Sequence, residues 1–117
     1  TLDDIGLPQQ AALFDHVCNL TGEAPPVIDS ATIRADPARA LAALCAALGL
    51  PFTPRMLSWQ AGPRPFDGVW AAHWYGAVHR STGFDGAEGP LPVLTNQDAE
   101  LGEKANSIFK RLLIYHI

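Results

Sequence analysis

Asp15, His16 and Cys18 bring together the residue types of an orienting carboxylate, a base and a nucleophile. Neighbours on a helix point in different directions, so adjacency alone makes no catalytic unit, and Cys18 reads as a small buried hydrophobe beside a surface histidine. His16, His73, His79 and His116 are candidate metal ligands, yet no two stand at the four-residue spacing that aims both rings at one ion, and no metal is expected. GxSxG, HExxH, GxxxxGK[ST] and GxGxxG patterns are absent, so complete hydrolase, zinc-protease and nucleotide-binding sites lack their residues. What remains is arginine. The stretch from Phe52 to Thr82 holds Arg55, Arg64 and Arg80 against Asp67 alone, whereas residues 1–30 carry Asp3, Asp4, Asp15, Glu23 and Asp29 with no Lys or Arg. A guanidinium presents a planar fork that suits phosphate or sulfate, and Pro63 and Pro65 around Arg64 reduce the entropy lost on binding. The same residues also fit three solvated arginines near a packed tryptophan pair. Trp70 and Trp74 are either core or the wall of an aromatic surface beside an anion site.

The elements that position these residues are mainly helical. Pro8 and the stripe Leu13, Phe14, Val17, Leu20 predict a helix over 8–20, ended by Thr21-Gly22. Pro25-Pro26 followed by Val27-Ile28 predicts a short strand, 27–30, running into a loop. Asp36-Pro37 caps a helix with Leu41, Leu44, Cys45 and Leu48 on one face, stopped by Gly49. Thr53-Pro54 opens a short helix through Trp59, and Gly62 to Pro65 is a stiff loop. Asp67 is placed as the cap of a helix over 69–80. A Gly- and Pro-rich loop, 83–92, precedes a last helix that Thr95 and Asp98 would open as a capping box, with Leu101, Ala105, Ile108, Leu112 and Tyr115 as its apolar stripe. The inventory is about five helices and one short strand. A lone strand needs partners for its N–H and C=O groups, so the rest of a sheet is expected to be missing from this chain or supplied by another.

Composition sets the outer bounds. With 117 residues, 48% hydrophobic and 17% charged, the chain reads as one globular unit able to bury a modest core. Its net charge of −4 argues against a nucleic-acid partner, which would need clustered positive charge. No apolar run reaches the roughly 20 residues of a membrane span, and the polar, acidic start lacks the features of a signal peptide, so a cytoplasmic protein is expected. Two cysteines, Cys18 and Cys45, lie within helical apolar patterns and are not expected to pair. The absence of an initiating Met points to upstream residues.

Two groups of motifs carry a resemblance. Val27-Ile28-Asp29-Ser30, then Ile33-Arg34-Ala35-Asp36-Pro37 and Leu41 to Phe52, resemble the strand, "ADP" turn and "LCxxLGLPF" helix in the C-terminal half of sulfotransferase-type P-loop proteins. Met56-Leu57-Ser58-Trp59, Gly62-Pro63-Arg64-Pro65, Asp67-Gly68-Val69-Trp70 to Trp74-Tyr75, and Ser81-Thr82-Gly83-Phe84 resemble a bacterial sulfotransferase-like family. Its relatives are sometimes labelled branched-chain aminotransferase-like, although no pyridoxal-binding pattern is visible here. The resemblance implies that residues 1–117 are a mainly α, C-terminal part of an α/β P-loop domain. The full-length form would transfer a sulfuryl group from 3′-phosphoadenosine 5′-phosphosulfate to a small-molecule acceptor, and this part alone would be inactive. The loop holding the 5′-phosphosulfate and the Arg/Ser pair holding the 3′-phosphate would then precede Thr1, the missing N-terminal part being this chain's partner. Arg64, in a Gly/Pro context where the family carries Arg-Lys-Gly, and Arg80 are the candidate nucleotide-binding residues; no catalytic residue is carried across. Asp29-Ser30 stands where many members have Tyr-Glu-Asp, and Lys104 to Ile117 departs from the family tail. A noncatalytic helical interaction module whose apolar faces dock on a partner is the alternative, and self-association is what a severed domain would show.

Overall fold

The computed structural model describes residues 1–117 and is mostly helical, with no sheet. Seven α-helices follow in order: α1 (Leu2–Ile5), α2 (Leu7–Thr21), α3 (Ser30–Ala35), α4 (Pro37–Ala47), α5 (Ala71–Trp74), α6 (Gly76–Arg80) and α7 (Asn96–Leu113), with a 3₁₀ turn at Pro54–Leu57 between α4 and α5. The chain divides into two compact units, one of Thr1–Ser30 with Glu88–Ile117 and the other of Ala31–Ala87.

In the first unit α2 packs on α7. Ala11, Phe14 and Leu112 are buried there, with Cys18, Val27 and Ile108 against them. The Phe14 and Tyr115 rings lie 4.8 Å apart, close enough to add to the burial of apolar area. A capping box at Thr1 and Asp4 starts α1, ahead of the helix expected from Pro8. Gly6, at φ 78°, then turns the chain straight into α2; a side chain would be strained in that left-handed conformation.

The strand expected over 27–30 reduces to a single parallel bridge between Val27 and His116. Val27 N–H donates to the Tyr115 carbonyl at 3.3 Å and its own carbonyl accepts from Ile117 N–H at 3.1 Å. Both backbone groups of Val27 are thus satisfied by the tail of the same chain. The pairing stops there because α3 begins at Ser30. The capping box expected at Thr95 does not form either. Asn96 enters α7 at φ 53°, and the Thr95 hydroxyl accepts no amide of the first turn.

In the second unit Asp36 caps α4 through the Arg39 N–H at 3.1 Å, as its spacing predicts, and Ala40 and Cys45 are buried. The helix expected over 69–80 is two short ones, broken where Tyr75 leaves helical geometry at φ −93°, ψ 11°. The short helix expected through Trp59 ends at Leu57, after which Ser58 is extended and bridges Gly83 in antiparallel sense. Both cysteines are free. No helix is long and apolar enough to cross a membrane.

Candidate functional site

The segment 58–67 is fastened to α6 and to 81–84 by four hydrogen bonds, all within the second unit. Trp59 N–H donates to the Thr82 carbonyl at 3.0 Å and Gly62 N–H to the His79 carbonyl at 2.6 Å. The Trp59 indole Nε1 donates to Ser81 Oγ at 2.9 Å, and that hydroxyl donates to the Val78 carbonyl at 2.7 Å. One oxygen of Asp67, Oδ2, accepts from Arg64 N–H at 2.7 Å and from His79 Nε2 at 2.8 Å. The two prolines beside Arg64 remove backbone donors, so the loop is fixed by Asp67 and His79 instead of by regular pairing.

The sequence position of Asp67 predicts a helix cap. No side-chain cap is made at the start of α5, and the carboxylate turns back onto its own loop. The Arg64 backbone N–H, and then the His79 ring, hold the Asp67 carboxyl below the ordinary aspartate range. The pair is largely shielded, with His79 at 23% and Asp67 at 16% side-chain exposure.

Arg64 and Arg80 occupy different settings. The Arg64 guanidinium donates to the Gln60 carbonyl, which spends one of its five donors on the loop itself. Arg80 is exposed on α6, its Nη1 lying where a Cβ on Gly76 would come within 3.3 Å. No hydrogen bond joins the two arginines to each other, and neither faces a carboxylate in an ion pair. Trp70 and Trp74 are not core: they are 67% and 74% exposed, beside Phe66 at 84% and Val69 at 86%. Neither tryptophan is buried within this chain.

A groove of about 300 Å³ opens where Trp59 meets Phe84 edge-on, ring centroids 5.3 Å apart at 83°. Ala77, Val78 and Ser81 complete its wall, and Arg34 and Asp85 bring opposite charges to it. In the first unit a groove of about 350 Å³ lined by Leu13, Phe14, Val17, Pro26 and Val27 carries no charged side chain. No group of three His, Cys, Asp or Glu side chains could hold a metal ion. The second unit thus offers fixed cationic and aromatic groups for binding, without an activated nucleophile. Trp59, Ser81, Phe84 and the Asp67–His79 pair were missed as a site from sequence. Their only shared signal is membership of the Trp59–Trp70 and Ser81–Phe84 motifs, which says nothing of which side chains meet.

Comparison with known proteins agrees with those motifs. Two curated proteins of Arabidopsis thaliana, branched-chain-amino-acid aminotransferase-like proteins 1 and 2, are 44% and 41% identical to this chain over 81 residues. The aligned segment is 69% of this chain and spans only 14% of the length of either relative. These matches are plant proteins, whereas the motifs pointed to a bacterial group. No solved structure matches. Residues 1–111 match a family described as a sulfotransferase domain, and the chain, covered almost end to end, belongs to that family.

Proposed function

We propose that this chain is the C-terminal portion of an α/β P-loop sulfotransferase. In the whole protein a sulfuryl group passes from 3′-phosphoadenosine 5′-phosphosulfate to a small-molecule acceptor, in a cytoplasmic setting. The family match over residues 1–111 carries the reading. Such transfer depends on in-line positioning and on stabilising charge at the sulfuryl and phosphate oxygens. Arg64 and Arg80 supply that positive charge from the second unit, and their residue type fits a phosphorylated nucleotide. The donor's own chemistry is a sulfuryl group on a good leaving phosphate. This chain has no phosphate-cradling glycine-rich loop, so on its own it binds and positions without catalysing.

Exposed area supports the assignment to a larger body. Only five hydrophobic residues are buried, while Phe66, Val69, Trp70 and Trp74 stand in solvent.

The test is titration calorimetry of the full-length protein with adenosine 3′,5′-bisphosphate. Binding is expected, and Arg64→Ala and Arg80→Ala should each weaken it about tenfold or more, the worth of a charge-assisted hydrogen bond. An unchanged affinity in Arg64→Ala removes that residue from the site, and no affinity in the parent protein removes the sulfotransferase reading. The exposed aromatic face favours a second reading, a noncatalytic interaction module. A cooperatively folded, monomeric isolated chain with no nucleotide affinity in the full-length form would support it.

A further inference from the structure

We propose that Asp67 and His79 are positioning residues for Arg64: together they fasten the turn that carries it to α6, so that its guanidinium meets an oxyanion from a backbone already in place. The proposal rests on the sulfotransferase reading for the oxyanion being that of a nucleotide, whereas the clasp stands on its own geometry.

Arg64 opens a four-residue turn, 64–67, in which Pro65 takes the second position that its fixed φ suits and Asp67 N–H donates to the Arg64 carbonyl at 3.0 Å. The Asp67 side chain closes the same turn from the other end, its Oδ2 accepting from Arg64 N–H at 2.7 Å. Both backbone groups of Arg64 therefore end on one residue. That residue is held in turn by His79, whose Nε2 lies 2.8 Å from the same oxygen and whose carbonyl accepts from Gly62 N–H at 2.6 Å. A single residue of α6 thus anchors the loop on either side of Arg64, and it is the immediate neighbour of Arg80.

The Arg64 N–H, and then the His79 ring, hold the Asp67 carboxyl below the ordinary aspartate range. An ionised carboxylate only accepts, so His79 carries a proton on Nε2. Tyr75 meets the imidazole edge-on, ring centroids 6.0 Å apart. Asp67 and His79 are both largely shielded from water, so solvent competes little for the bond between them. Of the five guanidinium donors of Arg64 one goes to the Gln60 carbonyl, and the rest remain for a ligand. A side chain on a preset backbone loses less freedom on binding than one on a loose loop, and the difference appears as affinity.

The experiment is calorimetry of the full-length protein with adenosine 3′,5′-bisphosphate and, separately, with inorganic pyrophosphate. Asp67→Ala and His79→Leu should each weaken the bisphosphate about fivefold, and His79→Gln, whose amide Nε2 donates from a similar place, should recover most of that loss. The deciding measurement is a double-mutant cycle. Arg64→Ala, costing about tenfold in the parent, should cost less than about threefold once Asp67 is alanine, while Arg80→Ala should cost the same in both backgrounds. A merely structural role would diminish both arginines alike. The proposal is overturned if Arg64→Ala costs a full tenfold without Asp67, or if Arg80→Ala loses its effect to the same degree. Should Asp67→Ala fail to fold, the cycle is run on His79→Leu with His79→Gln as its control. Pyrophosphate binding with the same Arg64-specific cycle, in a protein that does not bind the bisphosphate, removes the sulfotransferase reading and leaves the clasp. If neither probe binds through Arg64, the proposal is overturned.

Discussion

Replacing Ser81 by Ala removes the acceptor of the Trp59 indole N–H, one of the fastenings between 58–67 and α6. Trp59 is 38% exposed, so water replaces the lost partner and no buried orphan is left. The cost is then the net worth of an ordinary hydrogen bond, about 1 kcal/mol, and not the larger penalty of an unsatisfied donor. Phe84→Leu removes an edge-to-face contact worth about 1 kcal/mol at most in so open a setting. Because the Ser81 bond orients the indole that Phe84 meets, the double variant should lose less than the sum, by about 0.5 kcal/mol. Native-state amide exchange reads this directly. Trp59 N–H and Gly62 N–H are both bonded across the same closure, to Thr82 and His79. In Ser81→Ala both should exchange roughly fivefold faster, as 1 kcal/mol requires. Unaltered rates at both amides, or strict additivity with Phe84→Leu, would refute the idea that the indole pin stabilises the closure.

Two further outcomes follow from the same geometry. Phe14→Ala empties the centre of the Ala11, Phe14 and Leu112 cluster and removes the Tyr115 contact; a loss of about 3 kcal/mol is expected, visible as an earlier urea transition in far-ultraviolet dichroism of α2 and α7, and a loss under about 1 kcal/mol would show that the cluster is not the core. Asp67 has a depressed folded-state pKa, so its stabilising contribution is complete above the ordinary aspartate range and is lost as pH falls through its lowered value; Gly62 and Trp59 amides should lose protection in that acid window, and Asp67→Asn should abolish the pH dependence.

Legibility in the sequence followed how local the deciding interaction was. The long helices α2 and α4 were visible because stripe and stop lie within one segment, α7 by its stripe, and at Asp36-Pro37 the cap sits next to its helix. Capping boxes show where this fails. Thr1 with Asp4 and Thr95 with Asp98 have the same spacing, yet only the first forms, because Asn96 takes a left-handed conformation that the pattern does not encode. Val27 carries real β-propensity, but its partner is a tail nearly ninety residues away, and one bridge is all that fits before α3 starts. Asp67 has ordinary cap chemistry, and only the folded loop reveals that Arg64 N–H and His79 are nearer donors than the amides of α5. Arg64 and Arg80 were chosen for charge and stiffness, properties a sequence displays; that one is bonded to Gln60 and the other is open is a matter of conformation.

The net charge of −4 conceals a division that bears on function. In 31–87 there are five arginines, at 34, 39, 55, 64 and 80, against Asp36, Asp67 and Asp85. Two of those aspartates have structural employment, Asp36 on the first turn of α4 and Asp67 on its own loop and His79. Arg55 and Arg80 have no carboxylate partner, so the charges this unit leaves open to a ligand are cationic, with one exception. That exception is Asp85, and it stands beside the aromatic groove. A net acidic chain is weakly drawn to an extended phosphate backbone, which needs many cations at once. That acidity does not exclude a pocket for one nucleotide, where a few arginines suffice.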